Sequence, residues 1–236
     1  MYFAVPSWVI PGTIAQNAFF LQNRAKEIGL CFFEWKACLN YDDRDLPEWL
    51  GALPCHWHVH MPLDLPWNEG AETVAEICER LTAKIINLRP RFMVLHPPRL
   101  FALTLLKNFS TCFRNVTEAE ILIENISNST AEWANEEFLS KYGFGFCLDL
   151  AHALLNPKPV YFNMASSARL AHWSAPGIND AHRPLTELEE RQKTLLKELC
   201  QRFSPKVTHM LEIFSWPEIE ASLPIMTSLT EDLKGD

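Results

Sequence analysis

Glycine is scarce, at 8 of 236 residues, and none of the eight falls into a G-x-G-x-x-G or G-x-x-x-x-G-K-[ST] pattern. The phosphate-cradling loops of nucleotide-binding doubly wound sheets are therefore missing. The seven cysteines are odd in number and include no Cys-x-x-Cys pair, which argues against a disulfide framework and against a zinc ribbon. They read instead as small buried hydrophobes. Positive charge is in the minority: 21 Lys and Arg stand against 29 Asp and Glu, for a net charge of −8. A field of that sign repels polyanions, so no nucleic-acid partner is expected. No apolar run approaches the length of about 18 residues needed to cross a bilayer, and no membrane partner is expected. The first residues, MYFAVPSWVIPGTIAQ, lack the basic and continuous apolar regions of a secretory signal, and the expected location is cytoplasmic.

With 48% hydrophobic residues the chain can bury a large core. Short apolar runs bounded by turn or polar residues recur at residues 2–5, 30–33, 56–61, 92–95, 121–123, 144–148, 169–173 and 207–213. Between them lie segments of helical period. In 13–28 a stripe joins Ile14, Ala18, Leu21, Ala25 and Ile28, and in 71–88 another joins Val74, Ile77, Leu81, Ile85 and Leu88. Further helices are predicted at 45–53, 100–113, 129–142, 184–203 and 218–229. The crossover at 149–169 is predicted to be irregular, because Asn156, Pro157 and Pro159 interrupt its period. Eight strands alternating with helices in under 250 residues predict an α/β chain forming one (β/α)8 TIM barrel over residues 1–236.

Polar residues cluster where the predicted strands end. The third strand ends in His58-Val59-His60-Met61-Pro62, the fourth in His96-Pro97-Pro98, the fifth in Glu124-Asn125 and the sixth in Asp149-Leu150-Ala151-His152. The seventh carries His172 and the eighth Glu212. Strand ends converge on one face of a barrel, so these residues become neighbours. A lone strand-end His is usually an ordinary polar residue; six strands each delivering a nitrogen or oxygen ligand describe a divalent-metal site. Carboxylates packed so closely would repel one another without a cation among them.

The order of these motifs resembles the xylose isomerase-like barrel superfamily, which includes sugar isomerases and epimerases and the endonuclease IV branch of zinc phosphodiesterases. Glu124, Asp149, His172 and Glu212 match the four ligands of the single-metal epimerases. Five further positions match the three-zinc branch: His60 in His-Met-Pro, His96 in His-Pro-Pro, His152 in Asp-Leu-Ala-His, and Asp180 with His182 in Asp-Ala-His. The resemblance runs from about Glu34 to Glu212. Strand alternation puts residues 58 and 60 on the same side, so pattern leaves both open, and only the His-x-Pro match prefers His60. The resemblance implies one to three divalent ions, with Zn2+ the first expectation and Mn2+ or Fe2+ tolerated by the same ligands. It also implies a metal-dependent hydrolase of the phosphodiesterase type, with Glu124 and Glu212 as the catalytic carboxylates. The alternative is a single-metal sugar isomerase or epimerase.

The loops after the second and third strands carry more Asp and Glu than Lys and Arg, and they hold Trp35, Tyr41 and Trp67, while Trp173 and Trp216 follow later strands. Aromatic walls around a metal face suit a flat, partly apolar small molecule. Phe33-Glu34, Asp45-Leu46-Pro47 and the run from His58 to Trp67 resemble the cobamide-remodelling CbiR-type enzymes, which cleave the nucleotide loop of corrinoids. That resemblance makes a corrinoid the specific substrate expected, with Glu34, Asp64, Trp67 and Trp173 as substrate-binding residues. Read by itself, Glu34 is equally a polar strand end.

Overall fold

A computed structural model describes residues 3–127, 131–178 and 181–231. Its strands are β1 (Ala4–Pro6), β2 (Glu27–Cys31), β3 (His56–His60), β4 (Phe92–Leu95), β5 (Glu120–Glu124), β6 (Phe144–Asp149), β7 (Ala168–Trp173), the short β8 (Ala175–Pro176) and β9 (His182–Arg183), and β10 (Thr208–Leu211). All but β8 and β9 join in the closed order β1-β10-β7-β6-β5-β4-β3-β2, and every neighbouring pair is parallel. β8 and β9 pair antiparallel as a ribbon inserted after the seventh barrel strand. The fold is a (β/α)8 TIM barrel.

Alternation along the strands separates two cores. Cys31, Phe92, Val94, Leu122, Cys147, Leu170 and Met210 form a small apolar cluster inside the barrel. The residues between them point outward and pack under the helices in the larger core, among them Ile28, Leu30, Ile123, Ala171 and Leu211. A polar layer also lies in the interior: His58 Nδ1 is 2.7 Å from Glu27 Oε1, and Arg91 donates to Glu27 Oε2 at 2.8 Å. Gly29 is demanded by that layer. A Cβ there would stand 2.6 Å from His58 Nε2 and 2.9 Å from the Met210 methyl.

Several boundaries differ from expectation for local reasons. The helix predicted over 13–28 is α1 (Ile14–Leu21), opened by a Thr13–Gln16 capping box. Ala25 and Ile28 continue its stripe by coincidence, and β2 begins three residues before the predicted 30–33 run because Glu27, Gly29 and Cys31 face inward. Between β2 and β3 lie α2 (Trp35–Leu39) and, where a helix was predicted at 45–53, a 3-10 turn at Glu48–Ala52 bracketed by Pro47 and Pro54. The remaining helices are α3 (Ala71–Lys84), α4 (Ala102–Cys112), α5 (Glu136–Tyr142), α6 (Leu150–Leu155), α7 (Pro159–Asn163), α8 (Glu190–Cys200) and α9 (Trp216–Thr230). α6 and α7 make up the irregular crossover. Among the described residues, no helix is long and apolar enough to cross a membrane.

Candidate metal centre

Each ligand candidate is aimed by its place on a strand. Glu124 is the last residue of β5 and Asp149 the last of β6, both inward by alternation from Leu122 and Cys147. His172 lies two residues beyond the inward Leu170 on β7, while His96 and Glu212 follow the ends of β4 and β10 directly. His60 ends β3 and points into the same space, with its Nδ1 fixed 2.8 Å from the Met61 carbonyl oxygen. His58 does not reach it; two residues deeper, it belongs to the Glu27 layer.

Glu124 is buried and sits at the middle. Its Oε2 is 3.0 Å from His60 Nε2 and 3.4 Å from His96 Nε2, and its Oε1 is 2.9 Å from His172 Nδ1. Glu212 Oε2 approaches the same His172 Nδ1 at 3.0 Å and His182 Nδ1 at 3.7 Å. Asp149 Oδ1 accepts from the His152 backbone N–H at 2.6 Å, capping α6, and Asn125 pins the Asp149 backbone with two hydrogen bonds of 2.8 Å. Its other oxygen, Oδ2, is buried and makes no hydrogen bond.

Burial opposes charge on every one of these groups, and the outcome depends on their neighbours. Burial resists ionisation of Glu124, yet His172, His60 and His96 hold its pKa well below the ordinary carboxylate range. Burial likewise resists protonation of His172, yet Cys147, Glu212 and Glu124 raise its pKa well above normal. The two carboxylates carry that effect, because burial pushes the Cys147 thiol itself up to about 12. Asp149 is raised by burial, with Glu124 and Glu212 adding to it against His152 and His182. Burial lowers His96, while His60 is raised because Glu124 outweighs its desolvation.

The donor set fits a divalent ion. One ligand atom from each of Glu124, Asp149, His172 and Glu212 lies within 4.8 Å of the others, and the same holds for His60, His96 and Glu124. Glu124 belongs to both groups, and Asp149 brings an unsatisfied oxygen to the first. Above them opens a cavity of about 300 Å3, lined by His60, His96, Glu124, His152, His182 and Glu212 and walled by Phe33, Arg99 and Phe214. Asp180 lies outside the described residues.

The substrate-binding expectations are met unevenly. Trp173 has to be corrected. It is fully buried on the outer side of β7 and donates through Nε1 to His209 Nδ1 at 3.0 Å, because the inward turn of His172 forces its neighbour outward. Asp64 is exposed and accepts from the Trp35 backbone N–H at 2.8 Å, holding the start of α2. Glu34 precedes α2 and is exposed, with no side-chain capping bond. Trp67 lines a second cavity beside the metal-ligand cluster. Arg99 escaped sequence reasoning, and Asn125 was named at the end of the fifth strand without a role.

No family model and no curated protein matches the chain by sequence. Its fold is similar to endonuclease IV from Thermus thermophilus, at 14% identity and a TM-score of 0.68, over 98% of this chain and 100% of that one. It is similar as well to 3-keto-D-glucoside 4-epimerase from E. coli, at 12% identity and a TM-score of 0.63, over 98% and 99% of the two chains. A DUF72 family protein from Thermotoga maritima shares the fold at 14% identity and a TM-score of 0.54, over 99% and 100%. These likenesses rest on the shared TIM-barrel fold.

Proposed function

We propose that the protein is a metal-dependent hydrolase that cleaves a phosphodiester in a small anionic molecule. The observation that carries this reading is the sharing of Glu124. One buried carboxylate belongs at once to the His60–His96 group and to the Asp149–His172–Glu212 group, so it would serve as a donor to an ion held by either. Divalent ions held there supply positive charge that lowers the pKa of water and stabilises a leaving oxygen. The chain's own residues do the rest. Asn125 and the α6 cap orient Asp149, and the Met61 carbonyl orients His60, so the donors are set before any ion arrives. Glu212, open to the cavity and beside His182, is placed to accept a proton from an attacking water. Zn2+ suits this mixture of imidazole and carboxylate, and Mn2+ and Fe2+ are accommodated by the same donors.

The net charge of −8 favours a small molecule over duplex nucleic acid as substrate. Within that class, the motif after the third strand makes the nucleotide loop of a cobamide the specific candidate. A second reading is favoured by one observation: Glu124, Asp149, His172 and Glu212 already form a complete four-ligand set without His60 and His96. Such a set suits a single-metal isomerase or epimerase that moves a proton beside a carbonyl. Metal counting on the purified protein, followed by assays with bis(4-nitrophenyl) phosphate, adenosylcobalamin and abasic-site DNA, separates the readings. More than one ion with phosphodiester turnover supports the hydrolase; one ion and no turnover of any phosphodiester overturns it.

A further inference from the structure

Beside the metal-ligand cavity lies a larger one, of about 740 Å3, between the loop after β3 and the loop after β4. The two cavities adjoin, and Leu63, His96, Arg99 and Ile126 line both. Their characters differ. The larger lobe is walled by apolar groups such as Leu65, Trp67, Leu100 and Phe101, and among the described residues no carboxylate lines it. Leu63, Leu100 and Phe101 are 53%, 70% and 81% exposed, an apolar patch of the kind that marks a ligand groove. Phe101, in the lining of this lobe, is held at φ +54°, a left-handed conformation that bulky side chains disfavour. Among the described residues, Arg99 is the one guanidinium in either lining, and it lines both lobes.

We propose that this lobe is a second subsite, which receives an uncharged, ring-bearing substituent of the substrate while the anionic phosphoryl group sits at the junction beside Arg99. The substrate class this defines is a phosphoester with one bulky apolar arm. The smaller, polar cavity takes the reacting group, and the apolar lobe supplies binding energy away from it. The proposal deepens the hydrolase reading and rests on it for the identity of the anionic group.

The test is binding of 2-naphthyl phosphate and methyl phosphate to the full chain, read by calorimetry. Naphthyl phosphate is expected to bind at least about tenfold tighter, an advantage of the size that burial of a ring supplies. Thr104→Trp, which fills the lobe from the first turns of α4, abolishes that advantage; Leu100→Glu, which places a carboxylate among the apolar walls, does the same should the first variant fold poorly. Arg99→Ala weakens both ligands by a similar factor. Equal binding of the two ligands by the native protein, or a naphthyl advantage that survives in a folded variant, overturns the subsite. An advantage that is lost on filling, in a metal-loaded protein that hydrolyses no phosphoester, supports the subsite and overturns the hydrolase reading alone.

Discussion

His172 Nδ1 stands 2.9 Å from Glu124 Oε1, both side chains sealed from solvent, and Glu212 Oε2 closes on the same nitrogen at 3.0 Å. A raised imidazole pKa between two carboxylates means that the site demands positive charge at this point. A proton on His172 supplies it, and so does a divalent ion, in which case the proton must leave.

Replacing either carboxylate by its amide removes a ligand charge at nearly constant volume. Glu124→Gln and Glu212→Gln are each expected to lower turnover at least about 100-fold with little change in far-UV circular dichroism. Rates within a few-fold of the native protein, with metal content unchanged, remove the altered residue from the mechanism.

The number of ions follows from the other side of Glu124. His60 and His96 approach its Oε2, whereas its Oε1 faces His172, which groups with Asp149 and Glu212. Native mass spectrometry should find more than one divalent ion per chain, and His96→Ala should lose about one of them. A single ion that persists in His96→Ala assigns the metal to the Asp149 group and favours the epimerase-type reading.

How much of this was legible in the sequence depends on which residues are asked about. The convergence of His60, His96, Glu124, Asp149, His172 and Glu212 needed only that each follow or end a parallel strand, since barrel closure brings strand ends together whatever the loops do. Trp173 shows the limit of that reasoning. Choosing His172 as inward already fixed its neighbour as outward, so parity within β7 contradicts a rim position. β2 was displaced because the apolar period of α1 runs on through Ala25 and Ile28, and only the pairing of Glu27 with the distant His58 and Arg91 explains an inward acidic residue there. Arg99 and Phe101 were out of reach, as their place depends on loop backbone that no periodicity describes.

That inward acidic residue should matter for stability more than for metal. Glu27 is fully buried and joins His58 to Arg91 deeper in the barrel, beneath the metal ligands. Glu27→Ala removes the carboxylate that joins His58 to Arg91 and opens space, and about 3 kcal/mol of stability should be lost, the lower end for breaking a buried pair because Arg91 is 41% exposed and can turn to water. Denaturant unfolding measures it. A change below about 0.5 kcal/mol would show the network to be energetically idle.

The last expectation concerns acid. His209 lies on the outer side of β10, its ring edge-on to Phe203 and its Nδ1 accepting the Trp173 indole N–H, and burial lowers its pKa to about 4. An acceptor nitrogen must be unprotonated, so the folded state holds the neutral ring while an unfolded chain takes up a proton near pH 6.5. Between these values the unfolded state binds more protons, and stability therefore falls as pH drops from about 6.5 towards 4. The shift corresponds to about 3 kcal/mol in full. His209→Phe removes the titrating group, so its stability relative to the native protein should improve progressively as pH falls from 7 to 4, as followed by denaturant midpoints with metal chelated in both samples. A difference between the two proteins that stays constant across that range would mean that His209 titrates in the folded protein as it does in water, and that the Trp173 contact does not hold it neutral.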